Sequence, residues 1–104
     1  MDQASLIAEV WRTIQVYEQL LQERAARTRK MIDDHGEIGA MSRLMQSPNL
    51  QKGFKILRDA GRLDDTFEAL IVGFPGHFST DAVEVARWRL ENADRLLDRE
   101  YDPF

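Results

Sequence analysis

Residues 4–34 read ASLIAEVWRTIQVYEQLLQERAARTRKMIDD, a stretch that contains neither proline nor glycine. Apolar residues recur in it three and four positions apart, which is the spacing of one face of an α-helix. A helix of about 30 residues is about 45 Å long, whereas a compact chain of this length is only about 33 Å across. The stretch therefore predicts one long N-terminal helix over residues 1–35, which either packs on the rest of the domain or projects from it.

The rest of the chain divides where residues end or begin helices. Gly36 follows the long helix and would end it or kink it, and Pro48 suits the start of a later helix. The run Gly73–His77 breaks the chain again, after which Ser79 suits the N-cap of a last helix. We therefore expect an all-α single domain with a long N-terminal helix (1–35), a short helix (37–46) and a compact C-terminal bundle of about three to four shorter helices (48–104).

The composition limits the chemistry and the compartment. The chain has 104 residues, a formal net charge of -4, 43% apolar residues and no cysteine. The absence of cysteine excludes disulfides, thiolate nucleophiles and cysteine-ligated zinc, and the acidic balance argues against nucleic-acid binding by the whole surface. No apolar run approaches the roughly 20 residues that a membrane span needs, and no basic segment precedes an apolar one near Met1. We expect a soluble cytoplasmic protein with no membrane partner.

The first half of the long helix carries a short heptad pattern. With Ile7 at heptad position a, the seam is apolar for about two heptads and then fails at Arg24 and Thr28. Two interpretations stay open: residues 5–21 pack on the C-terminal helices of their own chain, or two copies associate through them as a coiled-coil homodimer. The residues that would form this self-association or partner surface are Ile7, Val10, Trp11, Ile14, Tyr17 and Leu21.

The second half of the long helix is basic. Its cations are Arg24, Arg27, Arg29 and Lys30, and no acidic residue lies between Arg24 and Ile32. Such a cluster can bind phosphate or an acidic patch on a partner. It is also what a solvated helix requires, because arginine and lysine are good helix formers. Nucleic acid is therefore a candidate partner, but not the favoured one.

The C-terminal half offers one apolar candidate and argues against DNA reading. Residues 65–90 have the outline of a helix-turn-helix, but Asp81 and Glu84 would place carboxylates where a recognition helix meets phosphates. Trp88 flanks the apolar stripe of the last helix. It either packs in the core or lies exposed as a partner-binding residue, since large aromatic side chains dominate binding hot spots.

Patterns that would indicate catalysis or metal binding are weak. His35 and His77 have no neighbouring nucleophile with an orienting acid. Asp64 and Glu68, four residues apart, are explained by helix capping and the helix dipole as well as by a shared cation. No phosphate-binding loop or catalytic signature motif occurs. We therefore expect no enzyme activity, no cofactor and no metal.

These observations predict a small non-catalytic protein–protein interaction module, which would be an adaptor, a regulator or a phage-type inhibitor. Its N-terminal helix is also a candidate for self-association. The alternative is a nucleic-acid-associated regulator that uses the basic stretch of that helix. The two hypotheses differ in which half of the helix meets the partner.

Overall fold

The structure, a computed structural model, describes residues 2–47 and 52–94, and none of these residues forms a strand. The helices are α1 (Gln3–Leu21), α2 (Ala26–Gln46), α3 (Lys52–Asp59), α4 (Phe67–Gly73) and α5 (Thr80–Glu91), with 3₁₀ turns at Leu63–Asp65 and Pro75–His77. The prediction of an all-α fold with a long N-terminal helix is confirmed. Residues 48–51 and 95–104 of the predicted C-terminal bundle lie outside the described residues.

The predicted helix over residues 1–35 ends earlier than its sequence pattern indicates. α1 stops at Leu21, and Gln22 adopts the left-handed conformation with φ 57° and ψ 39°. α2 then begins at Ala26. One continuous helix is therefore wrong beyond Leu21, although the turn contains neither glycine nor proline. The Glu18 backbone carbonyl accepts hydrogen bonds from the Gln22 and Glu23 N–H groups at this helix end, and the Glu18 side chain makes further contacts that are described below.

α2 is itself interrupted in the middle. Gly36 has φ 76° and ψ 170°, outside the helical region, and a positive φ of this kind favours glycine because it has no Cβ. Gly36 separates residues 26–35 from residues 37–46, so the predicted short helix forms the second half of α2. Glu37, next to the interruption, accepts a hydrogen bond from Trp11 Nε1 at 3.0 Å. This bond connects the kink to α1.

α1 packs along the domain and does not project from it. A single core of buried residues joins α1, α2, α4 and α5, and it includes Leu6, Val10, Ile14, Ala40, Met41, Leu44, Met45, Leu70, Ile71, Ala82, Val83 and Ala86. The molecule measures 35 × 30 × 23 Å along its principal axes. A helix with the length of α1 is about 28 Å long, so it fits within the longest axis. Because the helix is divided at Leu21, its length no longer requires a partner.

A smaller cluster connects α3 to the end of α5. Phe54 of α3 and Ala93, which follows α5, are buried, and Leu63 and Leu90 pack against them. The Arg58 Nη1 group donates a hydrogen bond to the Ala93 carbonyl at 2.9 Å. α3 also contacts α1. This arrangement leaves a cavity bordered by α1, α2, α3 and α4.

Candidate interaction surfaces

The carboxylate of Glu18 stabilises the turn between α1 and α2. Its Oε2 accepts hydrogen bonds from the Ala25 backbone N–H at 2.7 Å and from Arg29 Nε at 2.8 Å, and its Oε1 accepts one from Arg29 Nη2 at 2.8 Å. The Arg29 guanidinium lies over the Trp11 ring, 5.3 Å from its centroid. Hydrogen bonding to Arg29 lowers the pKa of Glu18 to about 2. Glu18 thus gives the backbone N–H of Ala25, the residue before α2, an acceptor and gives Arg29 a partner.

The predicted basic stretch is divided among different environments. Arg29 is bound to Glu18, and Lys30 pairs with Asp34 at 3.3 Å. Arg24 lies in the turn before α2 and Arg27 in its first turn, and both are exposed. Neither forms a salt bridge with a described residue. The four cations therefore do not form one face, and only Arg24 and Arg27 are left for a ligand.

Most of the apolar face predicted to meet a partner is used within the chain. Val10 and Ile14 are buried in the core of their own domain, so neither is available to a second copy or another protein. Ile7, Trp11, Tyr17 and Leu21 are each partly buried. This packing follows the first of the two interpretations of residues 5–21, in which the short heptad pattern is the inner face of a bundle helix.

Trp88 is the large aromatic residue that the described structure leaves in solvent. It is 54% exposed, so it does not pack in the core, and its role in binding a partner stays a prediction. Asp81, Glu84 and Glu91 are also exposed, and their spacing of three and four residues places them on the same helix face as Trp88. None of the three carboxylates forms a salt bridge within residues 2–47 and 52–94. We call Asp81, Glu84, Trp88 and Glu91 the α5 stripe.

The opposite face of α5 carries a buried ion pair. Arg89 Nη1 donates to Glu68 Oε2 at 3.1 Å, and the two side chains are only 6% and 3% exposed. Arg89 also donates to the backbone carbonyls of Leu44 at 3.4 Å and Ser47 at 2.8 Å. Burial raises the pKa of Glu68, with the charge of Arg89 acting in the opposite direction. Glu68 therefore connects α4 to α5, Arg89 connects both to the end of α2, and Glu68 is buried whereas Asp64 is exposed.

The cavity between the helices has a volume of about 630 Å³. Exposed cationic side chains line it, namely Arg24, Arg27, Arg43 and Lys52, and we call them the cationic rim. Its inner lining includes Tyr17, Phe54, Phe67 and Thr13. Thr13 is 1% exposed, and its Oγ1 has no hydrogen-bond partner among the described residues.

Sequence reasoning missed this cavity because its residues are far apart in the chain. Arg43 and Lys52 joined no basic cluster in the sequence, and they come close to Arg24 and Arg27 only after folding. One signal was available: Thr13 is a polar residue next to Ile14 on the apolar side of α1. A buried hydroxyl at such a position is either paired or unexplained.

Other kinds of site find no counterpart in the described ranges. No group of three or more histidine or acidic side chains there is arranged to hold a metal ion, and no helix there combines the length and apolar character of a membrane span. Comparison with known proteins finds no matching family model, no matching curated protein and no matching solved structure.

Proposed function

We propose that this protein is a non-catalytic protein–protein interaction module that binds a basic partner surface through the α5 stripe. One observation carries the proposal: Trp88 is 54% exposed and lies between carboxylates on one helix face. An adaptor, a regulator and an inhibitor that occupies a partner's surface would all work in this way.

The energetics favour Trp88 as the anchor of such a contact. Tryptophan is enriched among the few residues that supply most of the binding free energy of an interface. Its ring also attracts cations, with arginine the most frequent partner. A partner with an apolar pocket bordered by arginine or lysine would bury the indole in that pocket. Its cations would at the same time pair with the carboxylates of the α5 stripe.

The carboxylates of the stripe indicate the sign of the partner. Asp81, Glu84 and Glu91 are exposed, so they would raise the rate of association with a basic surface and disfavour an acidic one. Two copies of this chain joined through the stripe would place like charges against each other. The favoured partner is therefore a different protein. Self-association through α1 would have to use partly buried residues such as Ile7 and Leu21.

We also propose that the protein is cytoplasmic. The lack of cysteine favours this location, because proteins of reducing compartments rarely contain disulfides. Nucleic acid is the less favoured partner. The stripe repels phosphate, and Arg29 and Lys30 of the basic stretch are already paired with Glu18 and Asp34.

The test compares proteins retained from a lysate of the native host by the wild type, Trp88→Ala and the triple variant Asp81→Lys/Glu84→Lys/Glu91→Lys. Leu20→Ala is the matched control, because Leu20 is the other large apolar side chain that is exposed in the described part of the chain, at 41%. We expect a protein with a basic surface to bind the wild type and the control and to be lost from both stripe variants. Identical retention by Trp88→Ala and Leu20→Ala would contradict the proposal.

A further inference from the structure

The cavity has a charge opposite to that of the whole molecule. The chain has a formal net charge of -4, yet the cationic rim gathers four cationic side chains at one opening. None of the four forms a salt bridge with a residue that the structure describes. Two carboxylates also line the cavity, Glu23 and Glu68, and Glu68 is already paired with Arg89. Glu23 is exposed and, among the described lining residues, is the one carboxylate set against the four cations, so the opening carries a net positive charge.

The inner lining combines aromatic surface with polar side chains, of which Thr13 carries a buried hydroxyl without a partner among the described residues. Tyr17, Phe54 and Phe67 supply aromatic surface. Thr13 lines the same cavity at 1% exposure, and no described residue accepts from or donates to its Oγ1. A threonine within a helix usually bonds a backbone carbonyl of the preceding turn, and an unpaired buried hydroxyl destabilises the fold. A bound molecule with a polar atom near Thr13 would remove that penalty.

We propose that this cavity binds a small amphipathic organic anion. The apolar body of the ligand packs on Tyr17, Phe54 and Phe67, its anionic group pairs with the cationic rim, and a polar atom of the body pairs with Thr13 Oγ1. The cavity volume of about 630 Å³ is within the range of small-molecule sites. The α5 stripe contributes no residue to the cavity, so this site is independent of the proposed protein contact.

The lining also distinguishes this ligand from other anions. Inorganic phosphate would use the rim and leave the aromatic lining without a partner. A nucleic-acid backbone would do the same, because its phosphates would meet the rim while its sugars and phosphates offer no apolar body to Tyr17, Phe54 and Phe67. A carboxylate, a phosphate monoester and a sulfonate can each supply the anionic group.

The direct test is a fluorescence titration with 8-anilinonaphthalene-1-sulfonate. Its matched control is N-phenyl-1-naphthylamine, which has the same aromatic body without the sulfonate. We expect one molecule of the sulfonate probe to bind per chain. The double variant Arg27→Gln/Arg43→Gln should weaken this binding about tenfold or more, because the loss of a charge-assisted hydrogen bond corresponds to about a tenfold change in affinity. The neutral probe should bind both proteins equally.

A second double variant, Lys30→Gln/Arg87→Gln, removes the same charge away from the cavity and should bind the sulfonate probe like the wild type. Equal weakening by the two double variants would overturn the proposal, as would tighter binding of the neutral probe than of the sulfonate. The exposed positions make both variants compatible with folding, which thermal melting by circular dichroism checks before the titration.

Thr13→Val keeps the shape of the side chain and removes its hydroxyl. We expect it to weaken both probes by a similar factor, roughly three- to tenfold, the range of one lost hydrogen bond. Unchanged binding of both probes would contradict the role of the hydroxyl. Displacement of the sulfonate probe by laurate or by adenosine monophosphate then identifies a carboxylate or a phosphate source, whereas displacement by a DNA duplex alone would overturn the small-molecule assignment.

Discussion

Two carboxylate–arginine pairs, Glu18–Arg29 and Glu68–Arg89, have the same chemistry and opposite pKa behaviour. Glu18 lies at the edge of the molecule, 18% exposed, whereas Glu68 is 3% exposed. Hydrogen bonding to Arg29 dominates at Glu18 and lowers its pKa, while burial dominates at Glu68 and raises its pKa. The comparison teaches that the same pair stabilises a turn when water still reaches it and is costly to form when water is excluded.

The largest effect is expected from breaking the buried pair. Arg89→Met should lower the free energy of unfolding by about 3–5 kcal/mol, because it leaves the Glu68 carboxylate buried without a partner. Guanidinium unfolding followed by circular dichroism measures this change. The double variant Glu68→Leu/Arg89→Met should recover at least about 1 kcal/mol of that loss, since no buried charge is left. A single variant as stable as the wild type would contradict the burial of the pair.

The partly exposed pair, Glu18–Arg29, should matter less for stability, because each group regains contact with water when its partner is removed. Glu18→Ala should cost about 1–2 kcal/mol, because it removes the acceptor of the Ala25 N–H and both partly exposed hydrogen bonds to Arg29. Glu9→Ala is the control, since Glu9 pairs with Arg12 only in an exposed i, i+3 contact. That control should change stability by less than about 0.5 kcal/mol. Equal losses in the two variants would show that Glu18 has no special role in the turn.

Features of the fold that depend on neighbouring residues could be predicted from the sequence. Ser79 was predicted as an N-cap, and its side chain accepts a hydrogen bond from the Ala82 N–H at 3.1 Å, because capping depends on neighbours in the chain. Gly36 was predicted to end or kink a helix for the same local reason. The end of α1 was missed because neither glycine nor proline marks it: Gln22 adopts the left-handed conformation there, and hydrogen bonds to the Glu18 side chain hold the turn. The periodicity of a helix carries no record of such contacts.

The candidate sites were less predictable than the fold. Exposure of Trp88 depends on which neighbours cover α5, and the spacing of apolar residues left both outcomes open. The cationic rim depends on tertiary packing that brings Lys52 and Arg43 to Arg24 and Arg27. Long-range placement of this kind cannot be read from one sequence, because a local pattern reports only residues within one or two helical turns.

The two glutamates should respond to pH in opposite directions. The folded pKa of Glu18, about 2, lies below its ordinary value of 4.5, so its pair stabilises the fold above pH 4.5 and is lost as the pH falls from there toward 2. The pKa of Glu68 is raised, so its contribution is complete below pH 4.5 and is lost as the pH rises through the folded pKa.

The measurement is the unfolding free energy of the wild type, Glu18→Gln and Glu68→Gln between pH 7 and pH 3. The advantage of the wild type over Glu18→Gln should shrink as the pH falls below about 4.5. The wild type should instead gain relative to Glu68→Gln as the pH falls through the raised pKa toward 4.5, and should keep that gain below it. Parallel curves for the two variants would contradict the difference between the pairs.

The smallest effect on stability is expected at a third pair, Lys30–Asp34, which is more exposed than the other two. The side chains of Lys30 and Asp34 are 77% and 50% exposed, at an N–O distance of 3.3 Å. Water and salt screen such a pair, and the basic residue precedes the acidic one, which is the weaker orientation along a helix. Lys30→Ala should change the free energy of unfolding by less than about 0.5 kcal/mol. A loss above about 1 kcal/mol would mean that burial does not order the three pairs, because the exposed one would then match Glu18–Arg29.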